Sequence, residues 1–222
     1  MKTLKLIVAL SLGALVTACS SVPDIASRNA PFEMDSNSFA AQPAMTPTMD
    51  ASDMHIAQVN VNAPRSLTVS EANTFYPRGD IVWRGDPIGN RYQQIEAIFD
   101  NAIYNGTRDL AGATGVIVDI EVIRFHSLTE KSRYSVGGVH NMHFLMTVRD
   151  AATGHPLRPT QDIEANLPAY GGKMALQADR RGQTQKVRVT GYLAQVIRQE
   201  LEGPSVQNDT PRLAMVQQNI KN

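Results

Sequence analysis

Three histidines, His126, His140 and His143, stand out in this 222-residue chain because neutral imidazole is a common metal ligand. Alternating apolar residues around His140 and His143 predict a strand, and residues three apart on a strand point to opposite faces. A zinc site needs three or four converging ligands, which would require His126, His143 and Glu121 to meet across neighbouring strands. The sequence therefore predicts no metal and no cofactor, with the histidines on the wet face of a sheet and His126 and His143 as the only weak metal candidates.

Hydrolytic chemistry has equally little support in the sequence. Asp119 and Glu121 lie two apart on one predicted strand face, an arrangement that a pair of glycosidase carboxylates can take. No Gly-x-Ser-x-Gly nucleophile turn occurs, and the Gly-Gly pairs at 137–138 and 171–172 lack the lysine of a phosphate loop. We therefore assign no catalytic residue and rank a hydrolase last among the functions considered.

The first twenty residues have the composition of an export signal. Lys2 and Lys5 precede an apolar run from Leu6 to Val16, and small residues follow the run. The run is shorter than the roughly 20 apolar residues that cross a bilayer as a helix. Cys19, the only cysteine of the chain, comes directly after this segment and cannot form an internal disulfide.

The residues Val16, Thr17, Ala18 and Cys19 resemble a bacterial lipobox, in which a signal peptidase cuts before an acylated cysteine. The resemblance implies a mature chain that begins at Cys19 with several acyl chains, palmitate among them, each buried CH₂ adding about 0.8 kcal/mol of membrane affinity. Ser20 stands where an aspartate would favour the inner membrane. The implied location is the outer membrane with the domain in the periplasm, and the inner membrane and the cell surface remain alternatives.

Charge argues against a nucleic-acid partner. The whole chain has a formal net charge of zero, and loss of residues 1–18 removes two lysines and no acid, which leaves −2. Such a chain has no basic face for a phosphate backbone or for anionic lipid. The expected contact with the membrane is therefore made by the acyl chains.

Composition divides the chain into four parts: a signal peptide (1–18), a lipidated N-terminus and flexible tether rich in proline and small polar residues (19–57), a folded domain (58–203) and a tail (204–222). The tail contains a short amphipathic fragment, with Thr210 as a helix cap and apolar residues at 213, 216 and 220. At about ten residues this helix needs to dock in order to be stable.

The folded domain is predicted to be an α+β two-layer sandwich. Apolar periodicity indicates strands near 58–69, 116–126, 140–148 and 155–169, with the first and last at sheet edges because they contain prolines. Helical periodicity indicates helices near 92–106 and 185–201. The order β-α-β-β-β-α predicts a sheet of about four mostly antiparallel strands with both helices on one face.

From Pro64 to Leu201 the chain resembles a family of Gram-negative lipoproteins defined only as a domain of unknown function. The segments that carry the resemblance are 70–73 (SEAN), 80–84 (DIVWR), 124–131 (RFHSLTEK), 134–140 (YSVGGVH) and 170–172 (YGG). The resemblance implies no activity. The order of elements is also similar to that of auxiliary lipoproteins of envelope ABC transporters, a similarity of topology alone.

The most promising functional segment joins two adjacent predicted strands. Residues 126–140 are polar, charged and glycine-rich, and loops of this length in a compact domain are often functional. The predicted interaction surface comprises Trp83, Arg84, His126, Glu130, Lys131, Arg133 and Tyr134. An equally weighted alternative places Trp83 in the core beneath its own loop. The sequence favours a binding or scaffold component of an envelope complex with a protein partner over a lipid- or glycan-binding module.

Overall fold

The computed structural model of the protein describes residues 50–203. The predicted signal peptide, Cys19, most of the tether and the tail helix lie outside the described residues. Within residues 50–203, no helix is long and apolar enough to cross a membrane.

The described chain contains five strands and four helices after a short 3-10 turn at Ala51–Asp53. The strands are β1 (Met54–Asn62), β2 (Ile81–Val82), β3 (Thr114–His126), β4 (Gly138–Asp150) and β5 (Gln161–Ala169). The helices are α1 (Arg91–Thr107), α2 (Glu130–Arg133), α3 (Gly172–Arg180) and α4 (Gln185–Glu202).

The sheet has the order β1-β3-β4-β5, with β2 paired to the end of β3 beyond the point where β1 stops. The first helix connects two parallel neighbours, because β1 and β3 pair in parallel from Met54↔Thr114 onward. The pairs β3–β4 and β4–β5 are antiparallel. The sheet edges are therefore formed by β1 and β5, as the prolines near both strands predict.

A bulge in β3 decides which side chains enter the core at the end of that strand. Val116, Val118, Ile120 and Val122 alternate into the core as their period-2 pattern predicts. The pairing with β4 shifts between Val122 and Arg124, and the extra residue reverses the alternation. Phe125 is consequently fully buried, whereas Arg124 and His126 lie on the other, wetter face.

Both long helices begin at side-chain caps and pack on the same face of the sheet. Asn90 accepts a hydrogen bond from Gln93 N at the start of α1, and Thr184 accepts one from Val187 N at the start of α4. Their apolar stripes join the buried strand residues in one core. Three edge-to-face aromatic contacts, Trp83–Phe125, Phe99–Phe125 and Phe99–Phe144, with ring centroids 5.5, 6.1 and 5.0 Å apart, run through this core.

The predicted fold class is confirmed, with three differences of detail. The sheet has five strands rather than about four, and the short helices α2 and α3 lie in segments where no helix was predicted. The strand β1 starts at Met54, ahead of the expected domain start at Gln58, and Met54 is only 2% exposed. Its apolar side chain belongs to the core rather than to the tether.

Candidate functional site

Trp83 lies in the core, so it was wrong to include it in the predicted interaction surface. Its side chain is 1% exposed, stacks edge-on against Phe125 and donates a hydrogen bond from Nε1 to Asp86 Oδ2 at 2.8 Å. A Cβ at Gly85 would lie 2.2 Å from the Trp83 ring, so the chain passes tightly over the indole. Trp83 therefore supports the surface from beneath and cannot contact a partner.

The carboxylate of Glu71 forms ion pairs with two arginines, Arg84 and Arg91. Arg84 donates to both the carboxylate and the main-chain carbonyl of Glu71, and Arg91 Nε donates to Glu71 Oε1 at 2.7 Å. The Arg91 guanidinium is almost fully buried and also donates to the carbonyls of Asp86 and Pro87. The hydrogen bond from Arg91 is the main reason that the pKa of Glu71 lies below its usual value.

Two loops distant in sequence are locked together at this end of the sheet, and we call residues 71–77 together with 129–136 the loop surface. Thr129 Oγ1 donates to Thr74 O at 2.8 Å, and Asn73 Oδ1 accepts from Lys131 N at 2.8 Å. Thr129 also caps α2 through Ser132 N. The predicted long loop is therefore an ordered helical turn attached to its neighbour rather than a free connection.

The loop surface displays aromatic and apolar side chains next to a cation. The side chains of Phe75, Tyr76, Tyr134 and Val136 are 41%, 92%, 51% and 76% exposed. The Lys131 ammonium lies 4.7 Å from the centroid of the Phe75 ring. Glu130, 3.6 Å from Arg84, adds a carboxylate to the same surface. Aromatic residues are enriched at protein–protein interfaces, whereas lysine and glutamate are depleted there, so the aromatic side chains are the feature that points to binding.

A buried polar network lies behind the loop surface. Ser127 Oγ and His140 Nδ1 are 2.6 Å apart, and Gln185 Nε2 donates to Ser127 Oγ at 2.8 Å. The expectation of a wet-face position was wrong for His140, which is 2% exposed on the apolar face of β4. Burial, reinforced by Arg188 and Arg133, lowers the pKa of His140 to about 3. The hydroxyl oxygen of Ser127 therefore accepts from Gln185 and forms a second hydrogen bond with the neutral ring of His140.

Arg133 links this network to α3. Its Nη1 donates to Gln185 Oε1 at 2.8 Å, and its Nη2 donates to Asp179. The Arg133 side chain is 15% exposed, so it ties helices together more than it faces solvent. Tyr134, the next residue, stays exposed and lies 5.9 Å from the Arg133 guanidinium. The sequence placed these two residues on one surface, whereas the structure gives them different environments.

The remaining histidines do not converge on a metal. His126 interacts with Arg124 at 3.0 Å, and burial together with that arginine lowers the pKa of His126. His143 Nε2 lies 2.5 Å from Asp162 Oδ1. Asp162 belongs to β5, which pairs with β4 on the side away from β3. Within residues 50–203, no group of three or more His, Cys, Asp or Glu side chains is arranged to hold a metal ion.

Asp119 serves as an ion-pair partner on the solvated sheet face. It accepts two hydrogen bonds from Arg149, at 2.6 and 3.0 Å, and one from Asn60 at 2.7 Å. The hydrogen bonds from Arg149 are the main reason that its pKa is lowered. A glycosidase acid needs a raised pKa, so Asp119 is unsuited to that role beside Glu121.

A second surface feature lies at the edge of the sheet that β1 forms. A cavity of about 470 Å³ runs between residues 55–59 of β1 and residues 100–110 of α1 and the loop after it. We call it the edge groove. Its apolar lining comes from Ile56, Ala57, Val59, Ile103, Tyr104 and Leu110.

Taken together, the fold and the two surfaces define a small α+β domain with an ordered, aromatic loop surface. The chain belongs to the family of unknown function DUF6778, whose model matches residues 54–217. The match begins at the first residue of β1 and runs past the end of α4. It confirms the predicted membership of an uncharacterised family.

Solved structures show only remote similarity. A DUF330-family protein from Xanthomonas campestris is 9% identical, with a TM-score of 0.41 over 67% of this chain and 81% of that one. A candidate lipoprotein from Caulobacter crescentus is 11% identical, with a TM-score of 0.34 over 70% of this chain and 92% of that one. TM-scores this low carry no functional argument. No curated protein matches the chain.

Sequence reasoning missed the residues that support the loop surface from inside. Glu71, Arg91, Ser127 and Gln185 contact partners far away in sequence, and no periodic pattern indicates such pairs. The exposed Phe75 and Tyr76 carried a usable signal, because two adjacent aromatic residues lie in a proline- and glycine-rich segment that cannot be a buried strand.

Proposed function

We propose that this protein is a lipid-anchored component of the Gram-negative cell envelope whose domain binds another envelope protein, as an accessory or scaffold without catalytic activity. Acylated Cys19 would hold it in the outer membrane on the periplasmic side. The lipobox resemblance at residues 16–19 supports the anchor. A stable anchor requires more than one acyl chain, which a modified N-terminal cysteine supplies.

The observation that carries the proposed binding function is the loop surface. Its two loops are held by hydrogen bonds at Thr129 and Lys131 N, while Phe75, Tyr76 and Tyr134 remain exposed. A surface that is already ordered loses little conformational entropy on binding. Aromatic side chains in such a position are frequent hot spots of protein interfaces.

The alternative, a lipid- or glycan-binding module, needs an apolar pocket between sheet and helices. Ile98, Phe99 and Ile103 of α1 are fully buried, as are Leu193 and Ile197 of α4, so the interior between the layers is filled. The one cavity of suitable volume and apolar lining described above is the edge groove, which lies outside that interior. The packing therefore favours the protein partner.

Site-specific photo-cross-linking of the full chain in cells tests the proposal. A photoreactive phenylalanine analogue placed at Tyr76 or at Tyr134 should capture the same envelope protein, whereas the analogue at exposed Glu164 of β5 should not. Mass spectrometry of the intact protein should show acyl chains on Cys19. Equal capture from all three positions would contradict a specific loop surface, and an unmodified Cys19 would contradict the anchor.

A further inference from the structure

The edge groove has apolar walls that are partly open to solvent. Ile56 and Val59 are half-buried and Tyr104 on the rim is 66% exposed, whereas Ile103 and Leu110 beneath them belong to the buried core. The strand beside it, β1, pairs only with β3 within the described residues, so its other edge is free. Free edges and apolar grooves are normally covered in native proteins.

The charges of the groove are unbalanced on the α1 side. Asp100 lines the groove, and burial together with the neighbouring Glu96 raises its pKa. Among residues 50–203, no cation forms an ion pair with Asp100. Arg108 and His55 line other parts of the groove, and His55 Nδ1 is already bound to Gly112 O at 2.8 Å. An occupant that brings a positive charge would therefore fit the α1 wall.

The described chain ends at the same end of the fold as α1. Arg198, one turn before the end of α4, donates to Gly106 O at 3.2 Å and to Asp109 Oδ1 at 2.7 Å, whereas Arg158, ahead of β5, donates to Leu201 O at 3.3 Å. The residues that follow Gly203 therefore start between the end of α1 and the start of β5. Residues 204–209 can span up to about 20 Å when extended, which lets the tail pass the end of α1 toward the groove.

We propose that residues 210–220 of this chain dock in the edge groove as an amphipathic helix. Leu213, Val216 and Ile220 recur at helical spacing, after Thr210 as cap and Pro211 in the first turn. A helix of this length is about 15 Å long, close to the length of the wall that residues 100–110 form. Between residues 210 and 222 the segment contains Arg212 and Lys221 but no acid, which complements Asp100.

The extent of the family match supports this occupant over the N-terminal segment. The DUF6778 match continues to residue 217, so it includes Leu213 and Val216, whereas it begins only at Met54. The segment after α4 is therefore part of the family's unit, and the segment before β1 is not. Docking gives the short helix the apolar contacts that it needs to be stable.

Hydrogen exchange of the full chain tests the docking. Aspartate at both Leu213 and Val216 should speed exchange of the amides of residues 55–59 by about tenfold or more, since a lost contact worth about 1.4 kcal/mol gives that factor. The control Gln218→Asp adds the same kind of charge on the opposite face of the helix and should leave these amides unchanged. Exchange in the loop surface should be the same in all variants. Unchanged groove amides in the double variant would overturn the proposal.

Cross-linking identifies the occupant independently. A photoreactive analogue at Tyr104 should form a link to residues 210–220 of the same chain, seen as a monomer of altered mobility, and Asp100→Lys should reduce the yield several-fold. The same analogue at Tyr76 serves as the control and should give no such link. A link from Tyr104 to a second copy of the chain, to another protein or to residues before 50 would overturn the assignment. None of these outcomes depends on a partner at the loop surface.

Discussion

The loop surface and the edge groove differ in how their polar groups are satisfied. In the loop surface, Glu71, Thr129 and Asn73 all have hydrogen-bond partners, although the buried Arg133 Nε has none, and the exposed groups are mainly aromatic and apolar. In the edge groove, Asp100 has no ion-pair partner among residues 50–203, and the apolar walls are partly open to solvent. Hydrogen bonds order the loop surface, whereas the acid of the groove has no counter-ion among those residues.

The difference shows how two exposed apolar regions of one small domain can have different roles. A surface that is ordered by its own hydrogen bonds can bind a separate molecule at low entropic cost. A groove with partly open apolar walls and an unpaired charge is better explained by a segment of the same chain, because such a segment is always present at high effective concentration. Four pairs of variants test how the loop surface is supported, one of them by comparison with the edge groove.

The largest effect is expected from the support beneath the loop surface. Trp83→Ala should lower the free energy of unfolding by about 3–5 kcal/mol, because a fully buried indole and its contact with Phe125 are lost. The matched truncation Tyr104→Ala in the edge groove should cost less than about 1 kcal/mol, since that ring is mostly exposed. Urea denaturation of both variants measures the difference. Equal costs would show that Trp83 does not support the core as described.

The next effect concerns the ion pairs of Glu71. Glu71→Gln should destabilise the protein by about 2–3 kcal/mol, because the buried Arg91 guanidinium loses its carboxylate partner. The control Glu164→Gln changes an exposed carboxylate of β5 and should stay within about 0.5 kcal/mol. Chemical denaturation at neutral pH compares the two. A small loss for Glu71→Gln would mean that Gln94 Oε1 and the carbonyls of Asp86 and Pro87 are sufficient acceptors for Arg91.

Mild acid should weaken the network behind the loop surface. The pKa of His140 falls from 6.5 to about 3 on folding, so the unfolded chain binds a proton that the folded protein rejects as the pH drops below about 6.5. Stability should therefore decrease with a slope of up to about 1.4 kcal/mol per pH unit, or about 2 kcal/mol by pH 5. Above about pH 6.5, the neutral His140 contributes its full share to the stability of the folded protein.

Denaturation curves between about pH 7.5 and pH 5 measure that slope. His140→Gln should remove most of it, although the variant is less stable at every pH because the bond to Ser127 changes. The pKa of His126 is also lowered in the folded protein, so His126 should account for the smaller slope that remains. His126→Gln should remove that remaining slope. A slope that stays undiminished in the His140→Gln variant would show that the pKa of His140 is not lowered on folding.

The smallest effect is expected at the exposed part of the loop surface. Lys131→Gln removes the ammonium from the Phe75 ring and should cost about 0.5 kcal/mol, the usual size of an exposed cation–π contact. A double-mutant cycle with Phe75→Leu should give a coupling energy of the same size. A coupling energy of several kcal/mol would mean that the contact between Lys131 and Phe75 is needed for folding. The proposal that the loop surface serves to bind a partner would then lose support.

Local patterns in the sequence predicted most of the elements but not how they fit together. The helices α1 and α4 and the strands β3 and β4 have long periodic stripes, and all four were predicted near their observed positions. The short helices α2 and α3 were missed because a stripe needs several turns to be recognised. The adjacency of parallel β1 and β3 was left open, since periodicity does not reveal which strands are neighbours.

The candidate site was likewise predicted only in part from the sequence. Four of the seven residues predicted for the interaction surface lie within the loop surface: Glu130, Lys131, Arg133 and Tyr134. Trp83 is 1% exposed, the Arg84 side chain is 9% exposed, and Arg133 ties α2 to α3 and α4. All three side chains are amphipathic, so residue type alone does not say whether they face solvent. The exposed Phe75 and Tyr76 were not selected.

By itself the sequence determined the α+β class, the edge strands and the two long helices, because each depends on residues close together in the chain. The export motif ending at Cys19 depends on neighbouring residues in the same way and stays a prediction. Only the tertiary structure decided that Trp83 and His140 are buried, that Glu71 joins Arg84 and Arg91, and that β1 leaves an open groove beside α1. These features depend on contacts between residues far apart in sequence. Such contacts form only where the whole fold brings the partners together and excludes water around them.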